Sequence, residues 1–306
     1  MSIRKSFSQY LNRFKLHPVA ISSTYEHERI MLELNGKHTD ITEAHALITL
    51  NPFTVAVNAA VMNESMPPNP LLLIFRDETI IGQLPLKKVR GEPAGNLLLH
   101  LFESDFPIEE FSWVQRVWYA VLLDLKNKTN RKSRHFVVPS AELLKLFVYT
   151  LKPRPVYLVS VAHQNGFDVF PVDILGKIAP ELMIISVRST SPAIQHILGS
   201  KKLCASSVPF AMKETVYRFG GHHAGGVLPD HVQDVKFMES QTWKIPVPVF
   251  ALDVNEFQVE HHFTQGIHTQ FVARIVHEYK ISDGLRLAHT PWFNGNYFQG
   301  KFDSIT

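Results

Sequence analysis

Two short stretches of this chain carry residue types that can do chemistry together. The first is Ser186-Val187-Arg188-Ser189-Thr190-Ser191-Pro192-Ala193-Ile194, an apolar strand that turns into a helix. Hydroxyls and a guanidinium beside a helix start can donate to the oxygens of an anion, and the helix adds free N–H groups and a positive dipole end. The same residues also suit an ordinary capped helix, with Ser191 at the cap and Pro192 in the first turn. The second stretch is Gly266-Ile267-His268-Thr269-Gln270-Phe271-Val272, a tight turn entering a strand. An imidazole titrates near neutral pH, so His268 can assist a proton step or serve as a structural histidine.

Other constellations are weaker. The chain has 16 histidines, including the pairs His222-His223 and His261-His262. Adjacent histidines on a strand point to opposite faces, and no Cys or carboxylate spacing completes a recognised ligand set, so no metal is expected. Phe219-Gly220-Gly221-His222-His223-Ala224-Gly225-Gly226 reads as a mobile loop and matches neither the P-loop nor the Rossmann spacing. Cys204, the single cysteine, sits in an apolar strand and reads as inert core.

The elements that must position these residues are mostly strands. Arg29–Leu34 and Lys37–Ile41 flank Asn35-Gly36, the signature of a hairpin with a type I′ turn. Ala46–Leu50, Phe53–Val57, Pro70–Phe75 and Thr79–Leu84 also have strand character. Phe111, Val114, Trp118, Val121, Leu122 and Leu125 recur at helical spacing, with Trp113 and Trp118 as packing residues. A polar, basic run from Lys126 to Arg134 then reads as a solvated inter-domain loop. Ser140 can cap a helix striped by Leu143, Leu144, Phe147 and Leu151, which Pro153 and Pro155 end. Strands are expected at Val156–Ala162, Phe167–Leu175, Leu182–Val187, Leu203–Val208, Pro248–Asn255, Glu256–Gln265 and Gln270–Tyr279, with a short helix at Ala193–Leu198. The expected class is mainly β, a barrel with short helices behind a smaller β-rich domain at residues 1–130. Within that domain Asn51–Val57 and Leu71–Asp77 loosely parallel Phe170–Ile174 and Leu182–Arg188, so a degenerate second barrel is one alternative.

Composition sets outer bounds. A chain of 306 residues with 45% hydrophobic and 19% charged residues is long enough for a large core and two domains. A net charge of +3 is too small to argue for nucleic acid. No apolar run reaches the length of a membrane span, and Met1–Phe7 lacks the apolar core of a signal peptide. An amphipathic helix at Ser6–Phe14 reads as packed on its own domain. One cysteine permits no intrachain disulfide, and the default location is cytoplasmic.

Taken in order, these motifs resemble the flavin reductase-like, FMN-binding split barrel over roughly residues 136–300, within a second domain at residues 136–306. The helix running into Lys152-Pro153-Arg154-Pro155-Val156 is similar to the family's entry, and the Asn165-Gly166 turn to its first hairpin. The resemblance implies that Phe170, Pro171, Val172 and Asp173 lie along the flavin ring. Phe170-Pro171 departs there from the family's usual Asn, Ser and Thr. It also implies that Arg188, Ser189, Thr190 and Ser191 receive the FMN phosphate and that His268 faces the flavin or the nicotinamide. His289–Tyr297 resembles the closing segment, with Trp292 and Tyr297 near the cofactor or a dimer seam. The implied activity is an oxidoreductase with FMN at a homodimer seam, NADH or NADPH as donor and a small-molecule acceptor. The alternative is a non-catalytic flavin-binding or partner-binding module.

Overall fold

Alternation of apolar and polar residues organises most of the chain into strands. In Glu28–Leu34 every second side chain is buried, the pattern of a strand with one face on a core. The computed structural model describes residues 16–22, 28–62, 69–104, 121, 138–220 and 234–291. The segments read at Ser6–Phe14, around Trp113 and Trp118, at Lys126–Arg134, at His222-His223 and at Trp292 and Tyr297 lie outside the described residues.

The first half holds β1 (Leu16–Ile21), β2 (Glu28–Leu34), β3 (Lys37–Asp40), β4 (His45–Leu50), β5 (Phe53–Asn58), β6 (Leu71–Arg76), β7 (Thr79–Ala94) and β8 (Leu97–Ser104). Helix α1 (Ser140–Tyr149) and β9 (Arg154–Pro155) lead into β10 (Tyr157–His163), β11 (Gly166–Val172), β12 (Leu175–Ala179) and β13 (Leu182–Arg188). Next come α2 (Ala193–Ser200), β14 (Lys202–Ser207), α3 (Lys213–Gly220), β15 (Phe237–Glu239) and β16 (Pro246–Pro248). The long hairpin of β17 (Asp253–Gln265) and β18 (His268–Lys280) and the strand β19 (Arg286–Pro291) complete the set.

Two antiparallel sheets of seven strands result. One runs β3-β2-β6-β7-β8-β5-β4 and the other β11-β10-β14-β17-β18-β13-β12. Each strand of the first has a counterpart in the second: β2 matches β10, β5 matches β13, and the β7–β8 hairpin matches β17–β18. The glycines of the two hairpin turns correspond as well, Gly95 at φ 63° and Gly266 at φ 57°. This correspondence differs from the echo read in the sequence. Phe53–Asn58 stands where Leu182–Arg188 stands in the other sheet, not where Phe170–Ile174 stands, because similar runs of Val, Ile and Leu fit many strands equally well.

The two sheets pack through equivalent surfaces. One buried cluster gathers Ala46 and Ile48 of β4, Ala56 of β5 and Leu99 and Leu101 of β8 together with Ile178 of β12, Leu182 and Ile184 of β13 and Val272 of β18. β4 packs on its counterpart β12, and the contact of β4 with β13 is matched by that of β5 with β12, the reciprocal geometry of an isologous interface, here within one chain. Full burial of each large apolar side chain in it is worth about 1.5–3 kcal/mol. β4 and β12 approach so closely that a Cβ at Gly176 would lie 2.8 Å from the Cβ of Ala46 and from the carbonyl oxygen of His45.

Several boundaries differ from the sequence reading for local reasons. The single strand expected at Phe167–Leu175 is two, β11 and β12, parted at Asp173, whose carboxylate is held by groups from elsewhere. The two strands expected at Pro248–Gln265 are one, β17, while β7 runs on to Ala94 and pairs with the unforeseen β8. Ser140 lies inside α1, which starts after Pro139 without a side-chain cap. Glu142 instead accepts from the Phe53 amide at 2.6 Å and from Lys145 at 2.8 Å, tying the helix to β5. The Asn35-Gly36 hairpin forms as expected, with φ of 51° and 79°.

The turn at Gly266 tests the seam directly. A Cβ there would lie 2.3 Å from the Asn51 carbonyl oxygen, and the φ of 57° disfavours any side chain. Gly266→Ala is expected to destabilise the fold by about 3 kcal/mol, from left-handed strain and overpacking together. Gly199→Ala in α2, where a Cβ meets nothing within 4 Å, is expected to be neutral or slightly stabilising. Equilibrium denaturation of both variants checks the contrast.

Candidate functional site

The Arg188–Ser191 corner and His268 are brought together by the β13–β18 ladder, in which Arg188 is the direct partner of His268. The Ser189 amide donates to the Ile267 carbonyl at 3.0 Å, and the Ser189 hydroxyl lies 3.3 Å from that of Thr269. Beyond the corner, α2 begins after Pro192 with no side-chain cap. Ser191 does not act as the cap; its carbonyl accepts from the Ile194 amide at 3.2 Å. Arg188, Ser189 and Thr190 are exposed. Burial lowers the pKa of Arg188, and the charge of Asp173 opposes that shift.

His268 is buried, and its Nδ1 lies 3.1 Å from the Thr49 hydroxyl, which comes from β4 of the other sheet. The amides of Ile267 and Asn51 also point at that hydroxyl oxygen, at 3.4 and 3.5 Å. With its oxygen accepting from amides, the hydroxyl donates to Nδ1, which leaves the imidazole proton on Nε2. Burial, reinforced by Arg188, pushes the His268 pKa down to about 4. The expectation that His268 titrates near neutral pH is therefore corrected. Near pH 7 it is a neutral hydrogen-bonding group, because the seam that orients it also desolvates it. Gln270 crosses the same seam and donates to the Ile48 carbonyl at 2.8 Å.

Asp173 ends the Phe170–Asp173 segment and anchors a polar chain. Its Oδ2 accepts from Arg154 Nη2 at 2.7 Å and from His289 Nδ1 at 3.1 Å. Burial raises its pKa, but Arg154 and His289 outweigh that and hold the carboxylate well below the usual range. With Asp173 ionised, the His289 proton sits on Nδ1. Its Nε2 then accepts from the Tyr217 hydroxyl at 2.7 Å, with the two rings stacked at an interplanar angle of 11°. Tyr217, on α3, is 39% exposed, so the chain runs from solvent to the Asp173 corner. Arg154, Tyr217, His289 and Thr49 were not singled out from the sequence as site residues. They reach the site from four separate elements, and no local spacing marks them.

Phe170 packs against the core that holds Met183, Ile185 and Val187, whereas a Cβ at Gly220, at the end of α3, would lie 3.2 Å from Pro171 Cγ. β11 is the edge of its sheet, which explains why a proline is tolerated at 171 and leaves a row of backbone groups unpaired by the sheet. Cys204 is fully buried with its thiol pushed up to about 12 by burial, in keeping with inert core. A cleft of about 290 Å³ lined by Asp253, Tyr279, Lys280 and Arg286 lies at the other end of the β17–β18 hairpin and touches none of these residues.

The residues fit a phosphorylated, planar, polar-edged ligand such as FMN. The helix start is uncapped, and Ser186 Oγ and Arg154 Nε and Nη1 are buried without partners. Buried polar atoms of that kind are normally satisfied.

No protein-family model matches the chain, and no curated protein does. Solved structures do. An FMN-binding protein from Thermus thermophilus, with bound p-hydroxybenzaldehyde, is 21% identical over 45% of this chain and 86% of its own, with a TM-score of 0.40. An NADH:FAD oxidoreductase from Streptomyces globisporus is 18% identical over 48% and 87%, with a TM-score of 0.41. The styrene monooxygenase flavin reductase from Pseudomonas putida is 16% identical over 45% and 87%, with a TM-score of 0.38. Over about 45% of its length, this mainly β chain is similar in fold to flavin reductases and FMN-binding proteins.

Proposed function

We propose that the chain is an FMN-binding oxidoreductase that takes hydride from NADH or NADPH, with its flavin site at the seam between its own two sheets. The observation that carries this reading is the meeting of three things at one end of the β13–β18 ladder. They are the uncapped α2 start with Arg188–Ser191, the neutral His268, and the Thr49–Asn51 turn of the other sheet. FMN, when bound, supplies two-electron hydride chemistry that no side chain here possesses.

The residues have distinct tasks in this reading. Arg188 and the hydroxyls of Ser189, Thr190 and Ser191 hold the phosphate, helped by the first amides of α2. Phe170–Asp173 offers the backbone of an edge strand to the polar rim of the ring. His268 donates from Nε2 as a neutral group. Asp173 fixes Arg154 and His289, and Tyr217 connects that corner to water.

One site per chain follows from comparing the two halves. The counterpart of Arg188–Ser191 is Asn58-Ala59-Ala60-Val61. There Asn58 Oδ1 already accepts from the Ala60 amide at 3.0 Å, and no cation or hydroxyl is present. The residue paired with Asn58, as His268 is with Arg188, is Leu99. The first half thus supplies the wall that the family resemblance assigns to a second subunit, without a second phosphate corner.

Purified chain is expected to be yellow, to release one FMN per chain and to oxidise NADH or NADPH when an acceptor is added. Light scattering is expected to show a monomer that keeps its flavin on dilution. Colourless protein that does not take up FMN would overturn the reading. Two flavins per chain, or flavin lost on dissociation of a dimer, would refute the intrachain seam. Yellow protein inert to both nicotinamides would favour the non-catalytic binding module.

A further inference from the structure

We infer that His163, Asp168 and His196 form a divalent transition-metal site that clamps α2 onto the β10–β11 hairpin. The three side chains come from three elements, and their ligand atoms all lie within 4.8 Å of one another. His196 Nδ1 is 2.6 Å from Asp168 Oδ2, and His163 Nε2 is 3.9 Å from Asp168 Oδ1. The two imidazoles stack with centroids 4.2 Å apart. Asp168 pairs with Val161 in the ladder and shares its face, the one carrying Val159 and Phe170 into the core. α2 covers that core with Ile194 and Ile197.

A hydrogen-bonded His–Asp pair alone leaves the arrangement incomplete. The Asn165 amide donates to His163 Nδ1 at 3.2 Å, so a neutral ring carries its proton on Nε2. That Nε2 is buried and has no hydrogen-bond partner. A distance of 3.9 Å to the carboxylate is beyond hydrogen-bond reach. An orphaned buried donor costs about 1–3 kcal/mol. A cation between the three groups removes the orphan. Nε2 becomes a ligand and the proton moves to Nδ1, where the Asn165 contact is exposed and water replaces it. Bonds of about 2.1 Å set ligand atoms roughly 3–3.5 Å apart, so Asp168 closes toward His163 from 3.9 Å while its contact with His196 opens from 2.6 Å.

Two imidazoles and one carboxylate suit zinc, cobalt or nickel rather than calcium or magnesium. Three protein ligands leave coordination positions for water. The site stands independently of the flavin reading, yet α2 links them, since the Arg188–Ser191 corner leads directly into this helix. No local spacing marks the cluster, because its members are 5 and 28 residues apart and converge only when α2 packs on the hairpin.

The test uses full-length, untagged chain stripped with a chelator and titrated with Co²⁺, then Zn²⁺. One Co²⁺ per chain with a visible d–d spectrum, displaced by Zn²⁺, is expected. His196→Gln and Asp168→Asn are each expected to weaken binding about tenfold or more and to abolish the metal-induced rise in Tm. His262→Gln is expected to change neither. Where a variant folds poorly, X-ray absorption of the Zn²⁺-loaded wild-type chain is expected to show two imidazole ligands and no sulfur. Failure of the wild-type chain to take up either ion, undiminished binding in folded His196→Gln and Asp168→Asn, or sulfur ligation would each overturn the assignment.

Discussion

The Arg188→Ala, Ser191→Ala double variant is expected to hold FMN about a hundredfold more weakly than the wild-type chain. Hydrogen bonds to a charged group contribute about 1.5–3 kcal/mol each, and two such contacts are removed. The loss should fall on the phosphate. Riboflavin, which lacks it, is expected to bind both proteins about equally. Arg188→Lys keeps the charge without the planar fork and should lie between them. Arg188 is exposed and α2 takes no cap from Ser191, so the fold should survive both changes. Fluorescence titration of flavin into stripped protein makes the measurement. Equal FMN affinity in wild type and double variant would place the phosphate elsewhere and leave the corner as a plain helix start.

Acid is expected to weaken the fold well before the carboxylates titrate. Two buried histidines are responsible. His45 lies under α1, with Nδ1 2.6 Å from the Ile41 carbonyl and Nε2 3.0 Å from the Tyr149 hydroxyl. Burial pushes its pKa down to about 4, with Lys152 adding to the effect, and His268 is likewise held at about 4 by burial and Arg188. In the unfolded chain both take up a proton below their ordinary value of 6.5. The folded chain resists until near pH 4, so the unfolded state binds more protons throughout that interval. The contribution is fully present above pH 6.5 and is lost as pH falls toward 4.

Near pH 4.5 the two histidines together should remove about 5 kcal/mol relative to neutral pH. Asp173, depressed instead of raised, adds its own loss only below its ordinary value of 3.8. Denaturant midpoints across the interval check this. A His45→Gln variant, though less stable at neutral pH, should show about half the wild-type slope. A flat profile between pH 6.5 and 4.5 would show that neither histidine is desolvated as described.

Local signals carried far along this chain. Asn35-Gly36 specified a type I′ hairpin because those two residues tolerate positive φ. The Ser186–Pro192 tract specified a strand leading into a helix, since an apolar run ends there in hydroxyls and a proline. Gly266 marked a turn that only glycine can occupy. Boundaries failed where a long-range contact overrides local preference. Asp173 breaks a run that reads as one strand, because Arg154 and His289 hold its carboxylate. Ser140 looked like a cap, but Glu142 is the residue that ties α1 to the Phe53 amide.

By itself the sequence determined that the protein is mainly β, where a strand-to-helix corner rich in hydroxyls and a histidine turn lie along the chain, and that no side-chain nucleophile stands out. Those properties follow from residue type and near-neighbour spacing. Tertiary structure alone decided that residues 28–104 repeat the strand order of residues 157–280 and that the two sheets pack on each other. It also decided that His268 is neutral, that Asp173, His289 and Tyr217 form one hydrogen-bonded chain, and that His163, Asp168 and His196 converge. The physical reason is the same in each case. Burial, charge pairing and ligand geometry depend on groups far apart in sequence, and only the packing of one sheet on the other brings them within bonding distance.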